Sequence, residues 1–140
     1  MENMPANPYT KAREELEQEL LARKAKNNYL DYVKLTNPEY VDTKLHTYLT
    51  TKIQEFINKD PEEAEAVDIL LLSVPPQHGK SMSISQTLPS WYLLRNPNHG
   101  VIIASYNEEF ALKFGRANRQ KIQEYGPMIN KKVEINPNHR

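Results

Sequence analysis

The chain has 140 residues, of which 39% are hydrophobic and 26% are charged, and its formal net charge is zero. This composition predicts one modest globular domain with a core of its own, and the overall charge does not indicate nucleic-acid binding. The absence of cysteine excludes disulfides, thiolate catalysis and a cysteine metal site. No apolar run approaches the roughly 20 residues of a membrane span, so we expect an intracellular protein without a membrane partner.

The charges are distributed unevenly along the chain. Residues 1–66 contain 9 Lys and Arg against 13 Asp and Glu, whereas residues 100–140 contain 7 against 4. The basic bias of the C-terminal part is compatible with an anionic partner, and a solvated surface explains it equally well.

The N-terminal half predicts helices. Residues 1–9 are expected to form a disordered tail, and residues 10–66 a helical segment that begins at Thr10. Within it, residues 28–35 predict a helix that ends at Asn37-Pro38. A further helix is predicted over residues 43–58, with Leu45, Leu49 and Ile53 on its buried face.

The stretch from Val67 to Met82 is the most informative part of the sequence. VDILLLSV, residues 67–74, predicts a strand buried on both faces, as in a parallel sheet. Pro75-Pro76 ends this run, because proline has no N–H to give to a sheet ladder. The sequence Gly79-Lys80-Ser81 then opens a predicted helix, and this order of elements is typical of a phosphate-binding loop.

Each residue of that triplet suits phosphate chemistry. Gly79 allows the backbone to approach an anion, Lys80 would lie near the β- and γ-phosphates, and the Ser81 hydroxyl would face Mg²⁺. Val74 stands where the usual pattern has another glycine, so we expect the two prolines to shape the loop. The competing interpretation is a surface turn with an incidental lysine.

The rest of the chain continues the alternation of helices and strands. A helix over residues 82–88 is followed by a break or a new first turn at Pro89-Ser90, and residues 101–106 predict a second buried strand. Asn107 is expected to cap a helix that ends at Gly126-Pro127, and residues 131–135 could start a third strand. We therefore predict an α/β fold with a mainly parallel sheet between helices, of which residues 67–140 are the start.

Four motifs in this order resemble a known family, the large terminase subunit of tailed bacteriophages. The resemblance covers about residues 28–125, at the start of that family's ATPase domain. The motifs are Pro75-Pro76-x-His78-Gly79-Lys80-Ser81, Pro89-Ser90-Trp91-Tyr92-Leu93, Ala104-Ser105-Tyr106 and Phe114-Gly115-Arg116-x-x-Arg119. The resemblance implies a P-loop NTPase-type fold with an atypical Walker A loop and an ATP-driven motor that packages viral DNA into a capsid.

The resemblance also implies roles for individual residues. Arg116 and Arg119 would contact DNA, the γ-phosphate of a neighbouring subunit or neither. His46 falls near the place where the family's upstream helix approaches the nucleotide base, and the alternative is an ordinary packed or surface histidine. Gln77 stands where the family most often has a basic residue. The residues implied to bind ATP and Mg²⁺ are Pro76, Gln77, His78, Gly79, Lys80, Ser81, Met82 and His46, with Ser81 at the metal and Lys80, Arg116 and Arg119 as the catalytic candidates.

The implied partners are double-stranded viral DNA, the small terminase subunit and the portal, with a homo-oligomeric ring in the cytoplasm of an infected or lysogenic bacterial host. Up to Arg140 the sequence has no apolar strand ending in Asp-Glu and no nuclease-type carboxylate cluster. We therefore expect a truncated N-terminal piece, from a split gene, a truncated phage remnant or a partial reading frame, that binds ATP but hydrolyses it slowly or not at all. The alternatives are a fragment of another phosphotransferase, such as a nucleoside kinase, and a non-catalytic interaction fragment.

Overall fold

A computed structural model describes residues 8–60 and 67–130 of the chain, and within these ranges every regular element is a helix. The three N-terminal helices are α1 (Pro8–Ala25), α2 (Tyr29–Thr36) and α3 (Lys44–Ile57). The other three are the single turn α4 (Lys80–Ser83), α5 (Leu88–Arg95) and α6 (Glu108–Ile129). None of the described helices is both long enough and apolar enough to cross a membrane.

The predicted α/β fold is wrong for the described residues, because neither of the two segments expected to form a parallel sheet is a strand. Residues 67–74 and 101–106 have no regular secondary structure, and the predicted third strand lies outside the described residues. Several of their apolar side chains face solvent: Ile69 is 77% exposed, Leu71 88% and Ile102 97%. A strand needs a neighbour to pair its N–H and C=O groups, and an apolar run by itself does not supply one.

The helices were predicted more accurately, because capping and spacing are local signals. Asn28 caps α2 by accepting from the Asp31 N–H at 3.0 Å, and Asn107 caps α6 by accepting from the Glu109 N–H at 2.7 Å. The prediction that α6 ends at Gly126-Pro127 is wrong. The helix continues to Ile129, since the Asn130 N–H still bonds the Gly126 carbonyl at 2.7 Å.

The predicted helix over residues 82–88 is also wrong. The single turn α4 ends at Ser83, residues 84–87 form turns, and a new helix begins at Leu88. Pro89 therefore lies in the first turn of α5, where its missing N–H leaves no hydrogen bond unmade.

The core is organised around Trp91 of α5, whose side chain is fully buried. Its indole N–H donates to the Ala25 carbonyl at the end of α1, at 2.9 Å. Its ring lies 4.9 Å from that of Tyr29, centroid to centroid, and the Arg95 guanidinium lies 4.4 Å from the centroid of the indole. One side chain thus connects α1, α2 and α5 through packing and a hydrogen bond.

The two buried tyrosines of α2, Tyr29 and Tyr32, connect this core to neighbouring segments by hydrogen bonds. The Tyr32 hydroxyl donates to Ser90 Oγ at 2.9 Å, and the Tyr29 hydroxyl donates to the carbonyl of Ser83. The Tyr29 N–H in turn donates to Gln54 Oε1 of α3 at 2.6 Å. Burial raises the pKa of both phenols far above the ordinary value, so both remain donors throughout the usual pH range.

A buried lysine joins α6 to the end of α2. Lys121 is only 8% exposed, and its ammonium donates to the Thr36 carbonyl at 2.9 Å and to Asn37 Oδ1 at 2.8 Å. Burial lowers its pKa from 10.5 to about 8, against a smaller opposing effect of Glu124. The charge is thus placed at a helix C-terminus, where unpaired carbonyls favour a cation.

We predict that Trp91→Phe lowers the free energy of unfolding by about 2 kcal/mol, because the Ala25 carbonyl loses its donor and a cavity remains. Urea unfolding followed by far-UV circular dichroism measures this. Tyr48→Phe is the control, since Tyr48 is 63% exposed and should change stability by less than about 0.5 kcal/mol. Equal urea midpoints for Trp91→Phe and the wild type would contradict the assigned role of Trp91.

We predict a pH dependence that Lys121→Met removes. Above about pH 8 the folded chain loses the Lys121 proton while the unfolded chain, whose ordinary pKa is 10.5, keeps it. Stability therefore rises with pH in this window, because the unfolded state binds more protons. The unfolding free energy of the wild type minus that of Lys121→Met should rise by about 1–2 kcal/mol between about pH 7.5 and pH 9.5. A flat difference across that range would show that the charge is not buried.

Candidate functional site

The candidate site is the loop of residues 75–82, which joins the apolar segment 67–74 to α4. Its C-terminal end is fixed to the core, because Ser83 is fully buried and its carbonyl accepts the Tyr29 hydroxyl. The Ser83 N–H bonds the Gly79 carbonyl at 2.9 Å, which closes the turn of α4. The loop is exposed, but its end is connected to the best-packed part of the protein.

Two residues of the loop have positive φ angles. Gly79 has φ 71°, and Gln77, which has a side chain, has φ 65°. The left-handed region is uncommon for a residue other than glycine. Turns of this kind bring successive N–H groups to one side of the chain, as in the anion-binding concavities of phosphate loops.

The amides at the start of α4 have no acceptor. Within the described residues, the N–H groups of residues 79–82 donate to no carbonyl or side chain. They border a cavity of about 450 Å³. The lining residues are Val74, Pro75, Pro76, Gln77, Gly79, Lys80, Ser81 and Met82. The space is therefore formed by the loop itself, with open donors around it.

The electrostatics of this cavity favour an anion. Lys80 and Ser81 are exposed, and neither makes an ion pair or a side-chain hydrogen bond within the described residues. No carboxylate lines the cavity. The described residues also contain no group of three or more acidic or histidine side chains that could hold a metal ion. Ser81 is thus the one hydroxyl among the cavity residues, and Mg²⁺ there would depend on phosphate oxygens as well.

His46 of α3 contacts the loop from the side. Its Nε2 lies 3.1 Å from the His78 carbonyl oxygen and 3.1 Å from the position that a Cβ on Gly79 would occupy. Its Nδ1 lies 3.3 Å from the Thr43 amide nitrogen, and its ring packs against Tyr40 with centroids 5.1 Å apart. His78 itself folds back on the loop, with its Nδ1 2.7 Å from the Pro76 carbonyl oxygen.

The two candidate arginines lie elsewhere. Arg116 and Arg119 are on α6, and neither is among the residues that line the loop cavity. Arg116 is exposed and Arg119 is half-buried. The structure thus brings His46 to the loop and leaves the arginines outside the cavity, so their catalytic role stays a prediction.

The contacts that support the loop were not predicted from the sequence. The hydroxyl of Tyr29 holds the end of α4 by donating to the Ser83 carbonyl. The pattern Thr43-x-x-His46 at a helix start did offer a local signal, because a side chain at the third helical position often bonds back to the N-cap amide.

Comparisons with models of protein families, with curated protein sequences and with solved structures find no match to this chain. The resemblance to terminase large subunits therefore depends on the sequence motifs alone and stays a prediction.

We predict that Gly79→Ala destabilises the protein by about 1 kcal/mol, because alanine is strained at φ 71° and its Cβ would lie 3.1 Å from His46 Nε2. Gly115→Ala is the control, since an added Cβ there meets nothing within 4 Å. That exposed helical position should instead gain about 0.5–1 kcal/mol. Urea midpoints compare the two, and a Gly79→Ala midpoint at or above that of the wild type would contradict the left-handed turn.

Proposed function

We propose that the chain binds the triphosphate of ATP, together with Mg²⁺, through the loop of residues 75–82. The observation that carries this proposal is the set of open amides at residues 79–82, all of which line one cavity that has Lys80 as its only charged residue. The proposal depends on the loop itself and does not need the sheet that the described residues lack.

The donor set matches the ligand. A triphosphate offers several anionic oxygens, and backbone N–H groups with one ammonium are the groups that phosphate loops use. The Ser81 hydroxyl would help to hold a Mg²⁺ ion, which would neutralise part of the phosphate charge. Gln77, which lines the cavity, can donate a neutral hydrogen bond but supplies no charge.

The cavity supports binding better than hydrolysis. Activation of a water for attack on a phosphate requires a positioned base or water-orienting group, and no carboxylate lines this space. We therefore propose that the described residues bind nucleotide and that the chain alone turns it over slowly or not at all.

We further propose, on the sequence resemblance alone, that this binding serves a DNA-packaging motor. The chain would then act as the N-terminal ATPase segment of a phage terminase large subunit, in a ring that contacts viral DNA, the small subunit and the portal. Its place of action would be the cytoplasm of the infected or lysogenic host.

We predict that Lys80→Ala weakens the binding of ATP with Mg²⁺ by at least about tenfold, because a charge-assisted hydrogen bond to phosphate is lost. Isothermal titration of the full chain measures the Kd. Lys24→Ala is the matched control: it removes the same charge from an exposed position on α1 and should leave the Kd within about twofold.

Each outcome of this titration is informative once circular dichroism shows that the variants are folded. An equal loss of ATP affinity in Lys80→Ala and Lys24→Ala would mean that ATP responds only to the overall charge of the protein and not to a contact with Lys80. No binding by the wild type, or binding unaffected by Lys80→Ala, would overturn the proposal and favour a non-catalytic interaction role.

A further inference from the structure

The imidazole of His46 makes three polar contacts, and two of them define its tautomer. The third, between Nδ1 and Thr43 Oγ1 at 3.3 Å, suits either tautomer because a hydroxyl can donate or accept. The Thr43 N–H can only donate, so His46 Nδ1, 3.3 Å away, is an acceptor without a proton. The His78 carbonyl can only accept, so His46 Nε2, 3.1 Å away, carries the proton and donates it. Both contacts are satisfied at once by the neutral ring protonated at Nε2.

The orientation of this ring is fixed from a third direction. Tyr40 packs against it at a centroid distance of 5.1 Å and an interplanar angle of 47°. The ring edge lies so close to Gly79 that a Cβ at this residue would meet Nε2 at 3.1 Å. His46 therefore has no free nitrogen with which to bond a nucleotide base, and it occupies the space beside the turn.

We infer that His46 is a positioning residue that holds the backbone of residues 78 and 79 in the shape that exposes the loop amides. The inference rests on the proposed function for its consequence in binding, but the contact itself does not. His46 supports the loop through a chain of contacts. α3 carries the imidazole, and the N-cap amide of α3 accounts for the tautomer with the proton on Nε2. That N–H is the donor to the loop. Loss of that donor would free the His78 carbonyl and let the turn relax.

Two isosteric substitutions separate the two ends of the ring. His46→Asn keeps an acceptor at the position of Nδ1 and removes the donor to His78. His46→Gln keeps a donor at the position of Nε2. We expect His46→Asn to bind inorganic tripolyphosphate with Mg²⁺ about three- to tenfold more weakly than the wild type, as for one lost hydrogen bond. We expect His46→Gln to stay within about twofold, and both variants to keep a melting temperature near that of the wild type because the rest of the core is unchanged.

The choice of probe distinguishes a positioning role from a contact with the base. If His46 positions the loop, His46→Asn weakens the binding of tripolyphosphate and of ATP by the same factor, because the affected amides would contact the phosphates in both ligands. If His46 instead contacted adenine, only ATP binding would weaken. That second result, or tripolyphosphate binding by His46→Asn equal to that of the wild type, would overturn the inference.

The inference can be tested even if the wild type binds neither probe, in which case the proposed function fails. Long-range proton–nitrogen NMR spectra should then still show His46 protonated at Nε2. The Ser83 N–H, which bonds the Gly79 carbonyl at 2.9 Å, should exchange several-fold faster in His46→Asn than in His46→Gln. Protonation at Nδ1, or equal exchange in the two variants, would show that the imidazole does not hold the turn.

Discussion

The buried pair of Trp91 and Tyr29 is the contact on which the rest of the described structure depends. The indole N–H satisfies the last carbonyl of α1, and the Tyr29 ring packs beside the indole. The Tyr29 hydroxyl reaches the Ser83 carbonyl at the end of α4. A helix of four residues has almost no stability of its own, since nucleation is unfavourable and few hydrogen bonds follow. The single turn at the C-terminal end of the candidate loop is therefore ordered by the helical core and not by its own sequence.

The loop is consequently held at two places by different chemistry. At its C-terminal end a phenol from α2 binds a carbonyl in a fully buried position, and at its middle an imidazole from α3 binds a carbonyl near the surface. Between these points the amides of residues 79–82 stay open. An anion site requires that the contacts which hold the loop leave its amides unpaired, because donors that already have partners within the protein cannot bind a ligand.

The same helical core also accommodates a charge. Lys121 binds the C-terminal carbonyl of α2 and the neighbouring Asn37 side chain, which places an ammonium where carbonyls converge. Its lowered pKa reflects the loss of water around the charge. Asn118, one turn earlier on α6, donates to the Ser85 carbonyl at 2.7 Å and accepts from the Ser90 N–H at 2.9 Å. α6 thus holds the turn between α4 and α5 at Ser85 and the first turn of α5 at Ser90.

Local signals were enough to predict where most of the helices lie, although not the break after α4 or the end of α6. The side chain of Asn107 caps α6 at the position expected, and the triplet Gly79-Lys80-Ser81 opens a helical turn with a left-handed glycine. These features were predictable because each depends on residues at most four positions apart. The same holds for the burial of Leu49 and Ile53 on one face of α3, whereas Leu45, which was expected on that face, is 37% exposed.

Strand pairing and the packing of residues distant in sequence could not be predicted from local signals. The apolar runs at 67–74 and 101–106 indicated buried strands, yet a strand exists only when another segment satisfies its backbone, and hydrophobicity does not specify that partner. The hydrogen bond from Tyr29 to Ser83 spans 54 positions and that from His46 to His78 spans 32. The sequence by itself determined which residues offer donors and charge at the loop. Only the tertiary structure decided which distant side chains hold that loop open, because such contacts arise from the packing of whole helices.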